Sequence, residues 1–436
     1  MKRYRTIHLW LVIMAALVLA LAACEADPEE VDDPDEVDVE DGVVNVVSAF
    51  TGDEADAFVE SFAPFEEETG ITIDYEPTAD FEVLLPTRVE AGDPPDIALF
   101  PQTGLLMDIA DEADAIALEE FMDVDALEET MVSGFMESTR DDDGNTFGLP
   151  MRLANKSLLW YPTPQFEEAG YEVPETQEEL IELEEQMRAD GEAPWCLSME
   201  SGDATGWVGT DWVEEYMLRL HGAEAYDAWV DGELPFDSPE VREAFEEFER
   251  VWATEGNVFG GADGMLAIPF GDVPNEMFQD EPNCWMHRQG NFITGFFLEE
   301  VQENIDERVG VSYFPAFEGE EEPVLAGGDF ALLLNDTPEA REFMEFMADE
   351  SFGEPWAAQG GWLSPNVNFD DSTYPDETHR DMHEAAITAD LVRFDASDDM
   401  PGVVGTGTFW DGIVEWVDGA STLDEVLEMI DDSWPE

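Results

Sequence analysis

Apolar positions along the chain change period several times, and each change marks an element. Val43 to Phe50, VVNVVSAF, is rich in β-branched residues and stops at TGDEAD. From Asp56 to Glu67 the residues Phe58, Phe62 and Phe65 recur at helical spacing, with Gly70 at the helix exit. TGITIDYE then reads as a second strand, Phe81 to Ala91 as a second helix, and AGDPPDIALF as a loop entering a third strand. Strand and helix in alternation predict an α/β fold with a parallel sheet. In such sheets ligands bind at the carboxyl ends of the strands, where AFTGDE (Ala49–Glu54) and LFPQTG (Leu99–Gly104) fall. Helical periods return around 117–134, 177–189 and 237–254. TFGLPMRLANKSLLWY (Thr146–Tyr161) predicts two strands that cross between regions. VGVSYFPAF (Val309–Phe317) is a later crossing candidate, and GGDFALLLN begins a further strand at Gly327. There is no internal repeat.

The first residues follow a different pattern. Lys2, Arg3 and Arg5 precede the unbroken apolar run Leu9–Ala20, the pattern of a secretory signal. The run falls short of the roughly 20 apolar residues of a membrane span. Leu21-Ala22-Ala23-Cys24 resembles the lipobox of bacterial lipoproteins. It predicts a signal over 1–23, lipidation of Cys24 and anchoring at the outer face of the cytoplasmic membrane; the alternative is a plain signal peptide with a stray Cys24. From Glu25 to Asp41, 11 of 17 residues are acidic, and Pro28 and Pro34 interrupt them. Such a segment buries too little apolar surface to fold, so 24–42 is expected to be a disordered tether.

Net charge is -91, and loss of the leader with its three cations takes it to -94. Hydrophobic content of 44% still demands a folded body, and its length suggests two domains or lobes. Nucleic acid is disfavoured as a partner, because phosphate binding needs clustered Lys and Arg. Lysine occurs only at Lys2 and Lys156. Self-repulsion on this scale destabilises a compact state at low salt and is screened in brine, where the Debye length falls to about 3 Å. A salt-adapted, halophilic origin is expected, with a merely acidic surface as the alternative. Of the other cysteines, Cys196 and Cys284 are expected to form a disulfide in an exported chain; two buried thiols are the alternative. Cys and His show no metal-ligand spacing, and no serine elbow, zinc motif or phosphate loop appears. No metal and no cofactor are expected.

Six ordered segments carry a resemblance: FTGDEADAFVESFAPFEEETGITIDYE, TRVEAGDPPDIALF, FGLPMRLANKSLLWYP, FEEAGYEVPETQEEL, AGGDFALLLNDTPEAREFMEFM and MPGVVGTGTFW. Together they resemble the solute-binding proteins of sugar ABC transporters, the group that includes maltose-binding protein. TPQFEEAGYEVPET, APWCLSMESGDATGW, CWMHRQGNFITGFF and RFDASDDMP look most like its α-glucoside-binding branch. The resemblance implies two α/β lobes joined by crossing strands that close like a hinge. Lobe 1 would span 43–151 plus 313–358, and lobe 2 would span 152–312 plus 359–436. It also implies a monomeric receptor that delivers an α-glucoside or short oligosaccharide to ABC permease subunits in the membrane.

Sugar hydroxyls suit Asp, Glu, Gln and Arg, and the C–H face of the ring suits a flat aromatic. Thr51 and Asp53 sit where the family binds hydroxyls, with Glu54 beside them, although TGDEAD also reads as a helix cap. Asp80 and Gln102 follow the next two strands, and Asp329 follows two glycines that permit close approach. Trp410 matches the family's stacking tryptophan. Trp207 and Asp211 offer a stacking-plus-acceptor pair. Arg288 either donates to hydroxyls or pairs with a carboxylate, and Lys156 either binds ligand or neutralises buried acids. Trp362 is a further candidate, whereas Trp229, Trp252, Trp416 and Trp434 lie in helical patterns and are assigned to the core. A secreted glycosidase would need two carboxylates about 5 to 9 Å apart, which a chain with 107 acidic residues cannot reveal. A receptor for a polyol or peptide stays open as the second alternative.

Overall fold

The computed structural model describes residues 42–435 except 133, 142, 318–322 and 390. The leader, Cys24 and all but the last residue of the tether lie outside the described residues. The alternating start folds as expected: β1 (Val43–Ser48), α1 (Gly52–Thr69), β2 (Thr72–Pro77), α2 (Phe81–Glu90), β3 (Ile97–Phe100) and α3 (Thr103–Glu112). Phe58, Phe62 and Phe65 form the buried face of α1, and Gly70 ends the helix at φ 78°, its N–H bonded to Glu66 O. β1 lies between β2 and β3, parallel to both.

The sheet then departs from the parallel expectation. β4 (Gly148–Asn155) and β8 (Val324–Leu333) join antiparallel, giving the order β2-β1-β3-β8-β4, and the short β9 (Val392–Phe394) pairs parallel with β8. All ten residues of β8 are buried. Its glycines are a packing requirement: a Cβ on Gly328 would lie 2.3 Å from Arg152 O, and one on Gly327 would lie 2.7 Å from the Lys156 side chain.

A second sheet has β5 (Leu158–Pro162) at its centre, between β6 (His287–Arg288) and β7 (Val309–Tyr313). Helices complete this region. The longest, α4 (Trp207–Val230), is broken at Gly222, which adopts φ 73°. Trp212, Trp229 and Trp416 pack here with Phe245, Phe248 and Phe409 in one core, while Phe58, Leu85, Leu99 and Phe330 belong to another. The Cys196–Cys284 disulfide forms, with Cα atoms 5.2 Å apart, and joins the segment before α4 to the segment before β6. Two helical readings hold at Gln177–Asp190 and Pro239–Ala253. The stretch 117–134 is not one helix. Asp123 caps a fresh turn through Ala126 N, so a 3-10 turn at Leu118–Glu120 and a short helix at Val124–Glu128 replace it. Among the described residues no helix is long and apolar enough to cross a membrane.

Three crossings join the two sheets. Lys156 and Ser157 alone separate β4 from β5, and β7 leads back to β8. The third crossing was expected near 359, but the chain remains with the first sheet for longer. Trp362, Phe369 and Tyr374 pack in the first core, and β9 pairs with β8 before the chain leaves through α5 (Ala396–Asp399) to α6 (Trp410–Asp418). Backbone bonds lace the three crossings together: Lys156 N to Leu325 O, Phe314 N to Ser157 O, and Asp395 N to Ala326 O, at 2.8–2.9 Å.

Candidate functional site

A cavity of about 250 Å³ lies against these crossings. One wall comes from the first sheet. Thr51 and Glu54 open α1, Glu82 lies in α2, Gln102 precedes α3, Arg152 is on β4 and Asp329 is on β8. Arg152, Ala154 and Lys156 all face the cavity, as the two-residue period of a strand requires. The aromatic part of the lining comes from Trp207 at the start of α4, Phe270, Phe292, Phe296, and Trp410 at the start of α6. Trp207 meets Phe270 edge-on at 5.1 Å, and Trp410 Nε1 donates to Ser397 Oγ at 3.2 Å. Gly206 lets the two tryptophans approach. It adopts φ 123°, and a Cβ there would lie 2.5 Å from Trp410 O.

Arg152 organises the polar wall. It donates to Asp329 Oδ2 at 2.5 Å and to Glu54 Oε1 at 2.8 Å, and its guanidinium lies 4.6 Å from the Phe50 ring centre. Gln102 Nε2 donates to Glu82 Oε1 at 3.1 Å. Two buried acceptors here, Asp329 Oδ1 and Gln102 Oε1, have no hydrogen-bond partner among the described residues. Burial pushes the carboxyls of Glu54, Glu82 and Asp329 above the ordinary range, although Arg152 pulls Glu54 and Asp329 back.

Behind the cavity Lys156 Nζ donates to Asp395 Oδ2 at 2.5 Å and to Asp211 Oδ1 at 3.1 Å, and lies 3.6 Å from Asp398 Oδ2. Burial opposes its charge, but these carboxyls outweigh it and hold the ammonium well above its usual value. Asp211, Glu214 and Asp395 each place an oxygen within 4.8 Å of the others, a spacing suited to a cation. Lys156 bonds two of the three.

The family model described as bacterial extracellular solute-binding protein matches residues 51–270. The osmoprotective compounds-binding protein GgtB of Synechocystis sp. is 40% identical over 90% of this chain and 92% of its own length. The alpha-glucosides-binding periplasmic protein AglE of Rhizobium meliloti is 36% identical over 89% and 86%. The chain belongs to the bacterial extracellular solute-binding proteins. The solved structure of the solute receptor AcbH superposes with a TM-score of 0.78 over 90% of this chain and 98% of that one, at 16% identity. Maltose-bound MalE3 of T. maritima gives 0.67 over 89% and 98%, at 17% identity. The two sheets are thus the two lobes of this family's fold.

In this solute-binding protein Thr51, Glu54, Gln102, Lys156, Trp207, Asp329 and Trp410 line the cavity. Thr51 precedes α1 without capping it, so its hydroxyl is free of that role. The other candidates fall elsewhere. Asp53 and Asp80 are exposed at helix starts and do not line the cavity. Asp211 is fully buried and reaches the site only through Lys156. Arg288 is buried against Glu215 and Asp211 and does not line the cavity. Trp362 is a core residue packed on Phe352 and Phe369. The residues not singled out from the sequence are Arg152, Glu82, Asp398, Phe270, Phe292 and Phe296. Arg152 carried a usable signal: a cation in an acidic chain, four residues before Lys156 on a crossing strand.

Proposed function

We propose that this solute-binding protein captures a compact, neutral α-glucoside, of one or two sugar units, for an ABC importer. The observation that carries the reading is the mixed lining of one cavity: two tryptophans together with the buried, unpartnered acceptors Asp329 Oδ1 and Gln102 Oε1. Unpaired buried acceptors call for donors such as sugar hydroxyls, and the rings suit the C–H face. The carboxyls of Glu54, Glu82, Asp329 and Asp398 disfavour an anionic ligand. The name of one relative, an alpha-glucosides-binding periplasmic protein, supports the same class. In this reading the lobes close because the solute touches both walls only in the closed state. The receptor is exported, held at the membrane by lipid on Cys24, adapted to high salt, and serves permease subunits as a monomer without cofactor or catalysis.

The test is a thermal-shift and tryptophan-fluorescence screen of residues 43–436 in molar salt. The panel holds maltose, trehalose, sucrose, glucose, maltotriose, glycerol and several amino acids. One sugar should raise the melting temperature as its concentration exceeds its dissociation constant. A folded sample that responds to an amino acid and to no sugar sinks the assignment. Release of a Cys24→Ala variant into the medium is expected, and its retention in the membrane fraction counts against the lipid anchor.

A further inference from the structure

Four buried carboxyl groups converge where the chain makes its third crossing. Asp211 and Glu214 come from α4, and Asp395 and Asp398 from the turn that leads through α5. One ammonium, Lys156, stands among them. Asp395 takes its shortest bond and also accepts from Ser397 Oγ and Asp398 N, both at 2.9 Å. Three donors mark Asp395 as the ionised member, and its carboxyl is held well below the ordinary range. Asp211 lies between two cations, with Lys156 at 3.1 Å and Arg288 at 3.6 Å. Glu214 accepts the backbone N–H groups of Ala396 and Ser397. Asp398 differs from all three. Its nearest cation is beyond hydrogen-bond distance at 3.6 Å, and among the described residues no donor bonds its carboxyl oxygens. It is also the member that lines the cavity.

We propose that Asp398 faces the cavity as a neutral carboxylic acid and donates its O–H to an oxygen of the bound solute, so that capture weakens when this proton is lost. The inference rests on the reading of the cavity as the solute site. Charge arithmetic supports it. Asp398 faces Lys156 from the β4–β5 crossing, Asp211 and Glu214 from α4, Asp329 from β8, and Asp395 on its own segment. A further anion there meets more carboxylate than cation. Burial, then Asp395, push the Asp398 carboxyl well above its ordinary value against the pull of Lys156. These groups titrate as a unit in which Asp211 and Glu214 are raised as well, and Asp398 is the raised member that lines the cavity. The chemistry is complementary as well. Ring and linkage oxygens of a glycoside only accept, while the protons of Arg152 and Lys156 that meet carboxylates are already committed.

Infrared difference spectra of ligand-free protein at pH 7 in molar NaCl test the proton directly. Wild type minus Asp398→Asn should show one carboxylic-acid carbonyl band. An acid-carbonyl region that is identical in wild type and Asp398→Asn overturns the proposal. If Asp398→Asn does not fold, wild type labelled with 13C-aspartate must show an isotope-shifted acid band at pH 7 that moves when a sugar binds, because Asp398 lines the cavity and Asp211 and Asp399 do not, and the absence of such a band overturns the proposal equally. Titrations with maltose, trehalose and sucrose test the donor. Wild-type affinity should fall toward tenfold per pH unit above the ionisation of Asp398, and Asp398→Asn, whose amide donates at every pH, should flatten that slope. An unchanged slope overturns the donor role. A panel in which no sugar binds sinks the sugar reading, and the infrared result still decides the proton.

Discussion

Lys156 is 6% exposed and has three carboxyl groups within 3.6 Å of its nitrogen. Lys156→Met leaves Asp395 buried without its cation and Asp211 with Arg288 alone, and such a loss costs about 3–5 kcal/mol. Chemical denaturation in molar salt should read that decrease. The acids also set a pH dependence. Burial raises Asp211 to about 8 and Asp399 to about 7. An acid with a raised folded pKa binds more protons native than unfolded, so its contribution to stability declines from the unfolded value up to the folded one. His287, whose buried ring is lowered to about 4, acts in the opposite sense but only below about pH 6.5. The melting temperature should therefore fall between about pH 6.5 and 8 at constant salt, and a rise across that window contradicts the assignment. Single residues were partly legible. Scarcity of cations flagged Lys156, and the same argument applied to Arg152. Phe292 and Phe296 carried no signal, because aromatic residues in a 3-10 turn look like core until the fold turns them toward a cavity.

The tight element contacts are made by glycine. At Gly206 the backbone is left-handed and Trp410 O is 2.5 Å from where a Cβ would stand. Gly206→Ala forces α4 and α6 apart; it should cost roughly 2 kcal/mol or more and diminish the ligand-induced tryptophan signal. The disulfide closes a sequence separation of 88 residues. Its reduction should lower stability by roughly 4 kcal/mol in the chain-entropy model, read from denaturation with and without reductant. The strand–helix alternation at the start was legible because each element there changes its apolar period. β8 was found as a strand, but its direction was not. A segment buried on every side shows no alternation, and nothing local distinguishes parallel from antiparallel neighbours. The late third crossing was hidden for a related reason: β9 is only three residues long.

Charge governs the whole molecule. The whole chain carries a net charge of -91 and repels itself, and screening by salt should raise the melting temperature steadily from 0.1 to 2 M NaCl. A flat profile would show that the acidic surface is not a stability constraint. The cavity belongs to this scale too, since its walls come from segments that are distant in sequence and meet only when both lobes have formed. The same scarcity that exposed Lys156 gives the folded body an internal clock. Past residue 2 the chain holds a single lysine, sunk where two strands cross. An amine-specific acylating reagent has no other side chain to consume there, so the rate at which that one nitrogen is modified measures how often the crossing opens. Mass spectrometry can follow it without any engineered label.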